Sequence, residues 1–162
     1  MRELLVRINS SRRAVMSLKI ISHVASVICA AVFGIQLLLS VLDGEYFTAI
    51  GVALSAAIGL AMVTVMRKLI NAPRPYEFYS FYVDKPREKS GESFPSRHAY
   101  SSFVIAVLAW LLHPAVSISL LVASICISAA RVLLGIHFVR DALVGAALGI
   151  LSGVLGILMI VI

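Results

Sequence analysis

Charge is scarce in this chain. Only 14% of its 162 residues are Asp, Glu, Lys or Arg, where an ordinary soluble domain carries about a quarter. Acidic residues are the scarcer sign, 8 against 14 basic ones. Cysteine is nearly absent. Cys29 and Cys126 both fall inside apolar runs, where they read as small core residues, and neither a disulfide framework nor a thiolate metal site is expected. No sequence repeat or low-complexity tract is found. A cleavable leader is not expected either. The first apolar stretch follows a basic N-terminus but runs over residues 20–42, longer than a leader's apolar region of roughly 7–15 residues, and lacks a clear small-residue cleavage site. It is expected to remain as a membrane anchor. The net charge of +6 comes without a basic stripe interleaved with aromatics, so nucleic acid is not the expected partner. Anionic headgroups and a phosphate site account better for the excess.

What the chain has in abundance is apolar surface. It is 60% hydrophobic with a mean hydropathy of +1.01, and a soluble core of this size could not hide so much. The bilayer must be its solvent, and residues 1–162 suit a single domain. Three uncharged runs, 20–42, 46–66 and 142–162, have the ~20 residues that a spanning helix needs. A fourth, 98–130, is too long for one span and contains His113-Pro114. Proline breaks a helix there, giving two helices over 98–112 and 115–134. The fold class is therefore an all-α polytopic membrane helix bundle, with about five transmembrane helices. At 1.5 Å per residue the helix over 98–112 covers only roughly 22 Å, short of the ~30 Å hydrocarbon core. One end of that hairpin should sit below the membrane surface, bringing His98 or Arg131 to headgroup depth. Residues 1–19 set Leu4, Leu5 and Ile8 against Arg2, Arg7, Arg12 and Arg13, as an N-terminal interfacial helix would; a frayed basic tail is the alternative. Residues 75–96, with Lys85, Arg87, Glu88, Lys89, Gly91 and Glu92, form the one sizeable polar loop. Small residues recur every four positions at Gly51, Ser55 and Gly59, and at Gly145, Gly149 and Gly153. Such faces suit close packing within the bundle, or a dimer seam; the first is preferred.

Threading these spans has a consequence. The chain returns to one face of the membrane near Arg67, leaves it at His98, comes back at Arg131 and starts its last span near His137. Three polar fragments thus meet on one face: Arg67-Lys68 with Arg74-Pro75, then Pro95-Ser96-Arg97-His98, then Arg131 with His137 and Asp141. All 14 Lys and Arg fall on that face, while the other holds Asp43, Glu45 and His113 at its turns. Positively charged loops stay inside, so the multi-pass chain is expected in the cell membrane with this face cytoplasmic.

Ionisable side chains beside membrane spans are costly and usually mark a working site. His137 and Asp141 are four apart, as on one face of a helix. A carboxylate on one ring nitrogen leaves the other with a free lone pair, able to attack phosphorus. Arg67, Lys68, Arg74 and Arg131 supply cations, and the arginine fork grips two phosphate oxygens at once. Ser96 and Arg97 open a helix whose free N–H groups favour anions, and His98 is suited to protonating a leaving oxygen. His23 and His113 read as structural residues, and Arg140 and the charges over 85–89 as solvated or headgroup-facing. Two His and a carboxylate could also hold a divalent metal, but the surrounding cations would repel it. No metal or other cofactor is expected.

The three fragments resemble the signature motifs of the type 2 phosphatidic acid phosphatase superfamily, which also includes the vanadium haloperoxidases. The family's Lys, six residues, Arg-Pro is matched by Arg67 and Arg74-Pro75, with Lys68 displaced by one. Its Pro-Ser-Gly-His reads Pro95-Ser96-Arg97-His98. Its Ser-Arg, five residues, His, three residues, Asp is matched by Arg131, His137 and Asp141, with Ala130 in place of Ser. The resemblance implies a metal-independent phosphatase acting on a membrane lipid. It makes His137 the nucleophile that becomes phosphohistidine, oriented by Asp141. His98 is then the proton donor that later activates water, and Arg67, Arg74, Arg131 and the Ser96-Arg97 region hold the phosphoryl oxygens. Candidate substrates are isoprenoid (such as undecaprenyl) phosphates or diphosphates, phosphatidate and phosphatidylglycerophosphate. A vanadate-dependent oxidant chemistry is a weaker alternative, since such enzymes resemble soluble proteins. A non-enzymatic phospholipid binder or lipid translocator is another, although binding alone needs only the cations.

Overall fold

The computed structural model describes residues 2–78 and 90–162. All regular structure among them is helical: α1 (Arg2–Asn9), α2 (Arg12–Leu42), α3 (Tyr46–Ile70), α4 (Pro75–Phe78), α5 (Arg97–Leu108), α6 (Pro114–Leu133) and α7 (Val139–Val161). The charges expected to be solvated at Lys85, Arg87, Glu88 and Lys89 lie outside the described residues. Four helices (α2, α3 with its extension through α4, α6 and α7) are long and apolar enough to cross a membrane. The fifth expected span is α5. It is only 12 residues long and is prolonged by a 3-10 turn over Ala109–Leu111, so it ends earlier than residue 112.

Local chemistry explains where the helices stop. Ser11 caps α2 by accepting a hydrogen bond from Ala14 N, so that helix starts at Arg12 and not near residue 20. The amphipathic segment expected over 1–19 is therefore divided between α1 and the first turns of α2. Apolar content could not reveal this, because helix continues through charged residues where the backbone is well capped. α3 ends on Asn71 in the left-handed region, φ 44°, a conformation Asn tolerates well. Pro114 sits at the first turn of α6, where its missing N–H costs nothing. His113 caps that turn, its Nδ1 accepting from Ala115 N at 3.1 Å, which is the structural role read for it.

α5 is the interior helix. Ala99, Tyr100, Val104, Ala106 and Leu108 are all fully or almost fully buried, while Leu38, Phe47, Leu69 and Met159 on the long helices face outward. α7 lies closest to α5, and glycine makes the approach possible. A methyl group at Gly149 would stand 2.6 Å from Tyr100 O, and one at Gly153 2.6 Å from Val107 Cβ. A methyl at Gly145 would collide with Ser96 O. The four-residue small-side-chain face of α7 is thus used inside the bundle. On α3, Gly59 makes room for the Tyr100 hydroxyl, which donates to Ala56 O at 3.2 Å. Buried polar side chains tie the remaining helices to α5 and α6. Gln36 donates to Leu108 O at 2.9 Å, Ser117 to Ala106 O at 2.7 Å and Asn9 to Leu133 O at 3.0 Å. In an apolar surround each such bond avoids the cost of an unpaired carbonyl.

Gly149→Val should force α5 and α7 apart. Overpacking of this kind costs about 1–3 kcal/mol, and the thermal midpoint of the protein in detergent should fall; an unchanged midpoint would refute the close-packing account.

Candidate active site

Three stretches of chain converge at the end of α5. The turn between α6 and α7 delivers His137. Gly135 takes φ +67°, and Ile136 N donates back to Arg131 O at 3.1 Å, so the chain doubles over the end of α6. α7 begins at Val139, which leaves His137 on the turn and not, as its spacing from Asp141 predicts, on the same helical face. The cause is Asp141 itself. Its Oδ2 accepts from Phe138 N at 3.0 Å, capping the helix and fixing its start two residues after His137.

This shift alters how the pair meets. His137 Nδ1 and Asp141 Oδ2 are 3.8 Å apart, too far for a direct hydrogen bond. The hydroxyl of Ser93 lies between them. It donates to Asp141 Oδ2 and sits 3.4 Å from His137 Nδ1. With the carboxylate accepting from the serine, the serine oxygen is left to accept from Nδ1–H, and Nε2 keeps its lone pair. Ser93, His137 and Asp141 are all buried.

The Ser93 loop is held from two sides. Arg67, 3% exposed on α3, donates through Nη1 to Pro95 O at 2.7 Å and Ser93 O at 3.3 Å. Ser93 N donates to Ala72 O at 2.8 Å, and Ser96 N to Asp141 O at 2.9 Å. Arg74 donates through Nε to Gly91 O at 2.9 Å, and Glu77 Oε1 accepts from both Arg74 N and Gly91 N, at 2.9 and 2.7 Å. Ser96 caps α5, its Oγ accepting from Ala99 N. In the first turn of α5, His98 Nε2 lies 2.7 Å from Arg131 Nη2. Arginine only donates, so His98 meets it as an acceptor and carries its proton on Nδ1. Lys68, next to Arg67, is exposed, and Ala130, beside Arg131, is buried.

The nine residues singled out from the sequence therefore gather around one spot, Lys68 at its edge. Sequence reasoning missed Ser93, Glu77 and Asn71, whose Oδ1 accepts from Glu92 N at 3.2 Å. Only the position of Ser93 two residues before Pro95 could have drawn notice, because a lone loop serine carries no periodic signal.

The electrostatics are cationic. Arg67 lies within electrostatic reach of Arg97, Arg74 and the buried carboxylate of Asp141, and Arg131 within reach of Arg74. Arg140 approaches Asp141 Oδ1 at 3.5 Å but is 68% exposed, so water screens that pair. Burial pushes the His137 imidazole below its ordinary 6.5, the Asp141 carboxylate pulls it back up, and Arg74 and Arg67 add to the downward push. Among the described residues no three His, Cys, Asp or Glu side chains gather as a cation site. The arrangement offers donors for an anion, a neutral imidazole with a free lone pair, and a second imidazole beside it.

Comparison with known proteins agrees with the helical-bundle fold. The PAP2 superfamily model matches residues 48–161. No curated protein sequence matches the chain. Among solved structures, Aquifex aeolicus LpxE superimposes with a TM-score of 0.69 at 23% identity, over 96% of this chain and 93% of that one. The transmembrane PAP2-type phosphatidylglycerolphosphate phosphatase of Bacillus subtilis superimposes with a TM-score of 0.55 at 22% identity, over 96% and 90%.

Arg67→Met should destabilise the protein without any substrate present. It strips a charged donor from two buried carbonyls, each worth roughly 1–3 kcal/mol, so the thermal midpoint should drop markedly, whereas Lys68→Ala should stay within about 0.5 kcal/mol of wild type.

Proposed function

The chain belongs to the PAP2 superfamily, and from that premise we propose that it is a membrane-integral phosphatase of lipid phosphates, working through a phosphohistidine and without a metal. The observation that carries the reading is the Ser93 bridge between His137 and Asp141. It leaves the Nε2 lone pair of a neutral, buried imidazole unused, with arginines nearby.

The steps follow from the residues. A phosphate docks against Arg67, Arg74 and Arg131 and the N-terminus of α5, where Ser96 and Arg97 begin the helix. Its oxygens are better acceptors for Arg131 than an imidazole is, so His98 Nε2 is released and can take up a proton. His137 Nε2 attacks phosphorus; the bond to the lipid oxygen breaks, and that oxygen takes its electron pair together with a proton from His98. Asp141, through Ser93, stabilises the positive charge that grows on His137. Water, deprotonated by His98, then attacks the phosphohistidine, breaking the P–N bond and releasing inorganic phosphate. Isoprenoid phosphates or diphosphates, phosphatidate and phosphatidylglycerophosphate all satisfy this chemistry. The positive-inside argument sets the site on the cytoplasmic face.

Phosphate release from a panel of lipid phosphates should resist EDTA and vanish in His137→Ala. Loss in EDTA would restore a metal mechanism, and no release from any lipid would leave a binding site only. A second outcome concerns pH. The nucleophile must be neutral, and its lowered affinity for a proton keeps it so below pH 6.5. The acid limb of kcat/KM should therefore lie below that value. Asp141→Asn removes the group that raises the imidazole, so the limb should move further to acid while the rate falls by roughly 10²–10⁴-fold. Ser93→Ala should also lower the rate with KM little changed, and Ser93→Thr should restore it in part. An equal rate in Ser93→Ala would remove the serine from the mechanism.

A further inference from the structure

Among the described residues, apolar gaps lie on two sides of α5, and a larger one lies between α3 and α7; of these three, the gap between α2, α3 and α5 reaches the site. Between α2, α3 and α5 lies a cavity of about 320 Å³ whose lining includes Arg97 and His98 at the top and Cys29, Leu60 and Ile105 below. A second cavity, of about 260 Å³, shares Leu60, Ser101 and Ile105 with it and reaches Ala53 and Phe33. The shared residues make the two a single furrow. On every helix its lining moves away from the site: from Ser26 to Phe33 on α2, from Leu60 to Ala53 on α3, and from Arg97 to Ile105 on α5. At 1.5 Å per residue it descends roughly 10 Å along α5. Cys29, Ala30, Ala53, Ala56 and Ala57 are small and leave it open, whereas Leu60 and Ile105 narrow it midway and Phe33 stands at the far end, packed against the core. The other gap, about 350 Å³ between α6 and α7, is lined by Phe103, Ile125, Val132 and Leu143 among others and includes none of the site residues.

Chemistry chooses between them. In phosphoryl transfer the attacking and leaving atoms stand roughly in line. With His137 attacking, the leaving oxygen sits on the side of His98, and that oxygen carries the lipid. The hydrocarbon must therefore start beside His98, where the furrow opens.

We propose that this furrow holds a single hydrocarbon chain of the substrate, running from His98 past Leu60 to Phe33, and that Phe33 sets the length it accepts. The assignment rests on the phosphatase reading above. Leu60 and Ile105 narrow the furrow midway to the passage shared by both cavities, which suits one chain and not two. The substrate class is a single-chain lipid phosphate, isoprenyl or straight-chain, in preference to a diacyl one.

Two measurements test this on the purified full-length protein. The first needs no turnover. A non-hydrolysable long-chain alkyl phosphonate carrying a mid-chain diazirine is photolysed on the protein, and the labelled peptides are mapped by mass spectrometry. Label on Cys29, Ala57, Leu60 or Ile105 is expected, and label on Ile125, Val132 or Leu143 overturns the proposal. The second compares isoprenyl and straight-chain monophosphates of increasing length with phosphatidate. In Ala57→Phe, the ratio of kcat/KM for long chains to that for short ones should fall by at least about tenfold, the scale on which a filled apolar pocket discriminates. In Phe33→Ala the accepted length should increase. An unchanged ratio in both variants, or phosphatidate turned over faster than every single-chain substrate, overturns it. Labelling of the furrow with no hydrolysis of any phosphate would uphold the chain site and refute the phosphatase reading. The series extending to greater length identifies the natural chain as isoprenyl or straight.

Discussion

The buried carboxylate of Asp141 is the point on which the site hangs. One oxygen accepts from Phe138 N and from the Ser93 hydroxyl, and the backbone carbonyl of the same residue accepts from Ser96 N. Through these bonds it starts α7, anchors the loop before α5 and sets the tautomer of His137. A carboxylate that is 0% exposed is tolerable only when hydrogen-bonded and surrounded by positive charge. The helix N-terminus and the nearby arginines provide both. Arg67 is favoured by the same carboxylate in return.

Position in the third dimension is set by glycine. The bond from Ser96 N to Asp141 O requires the first turn of α5 to lie against the first turn of α7, and Gly145 permits this because any larger residue would strike Ser96 O. Gly149 and Gly153 continue the contact downward. The seam therefore does more than hold two helices. It fixes the height of His98 relative to His137, the quantity on which attack by one and protonation of the opposite leaving oxygen by the other would depend.

Much of this was legible in the linear chain. The spans followed from apolar runs of bilayer length, the break at Pro114 from the chemistry of proline, and the meeting of three distant polar fragments from the parity of the crossings. What escaped was local. Hydropathy could not see α2 continuing down to Arg12, because helix formation there depends on the cap at Ser11. The four-residue spacing of His137 and Asp141 pointed to one helix face, but the carboxylate is consumed in starting the helix, which displaces the histidine onto a turn. Ser93 was invisible for a related reason: a hydroxyl that bridges two side chains is defined by distance in space, and no periodicity marks it. Arg67 fitted the motif spacing and Lys68 stood one place off it; the phase of α3 buries the first and exposes the second.

The direction of synthesis adds a final constraint. Arg67 emerges from the ribosome well before the carbonyls of Ser93 and Pro95 that it binds, and Asp141 appears only as the last helix begins. Before those carbonyls appear, a guanidinium destined for the interior has no partner within the membrane and must wait in the hydrated headgroup layer. Completion of the pocket thus waits for the first turn of α7. A nascent chain arrested before α7 carries every cation of the site and the carbonyls that Arg67 and Arg74 bind, but lacks the carboxylate that joins them to His137.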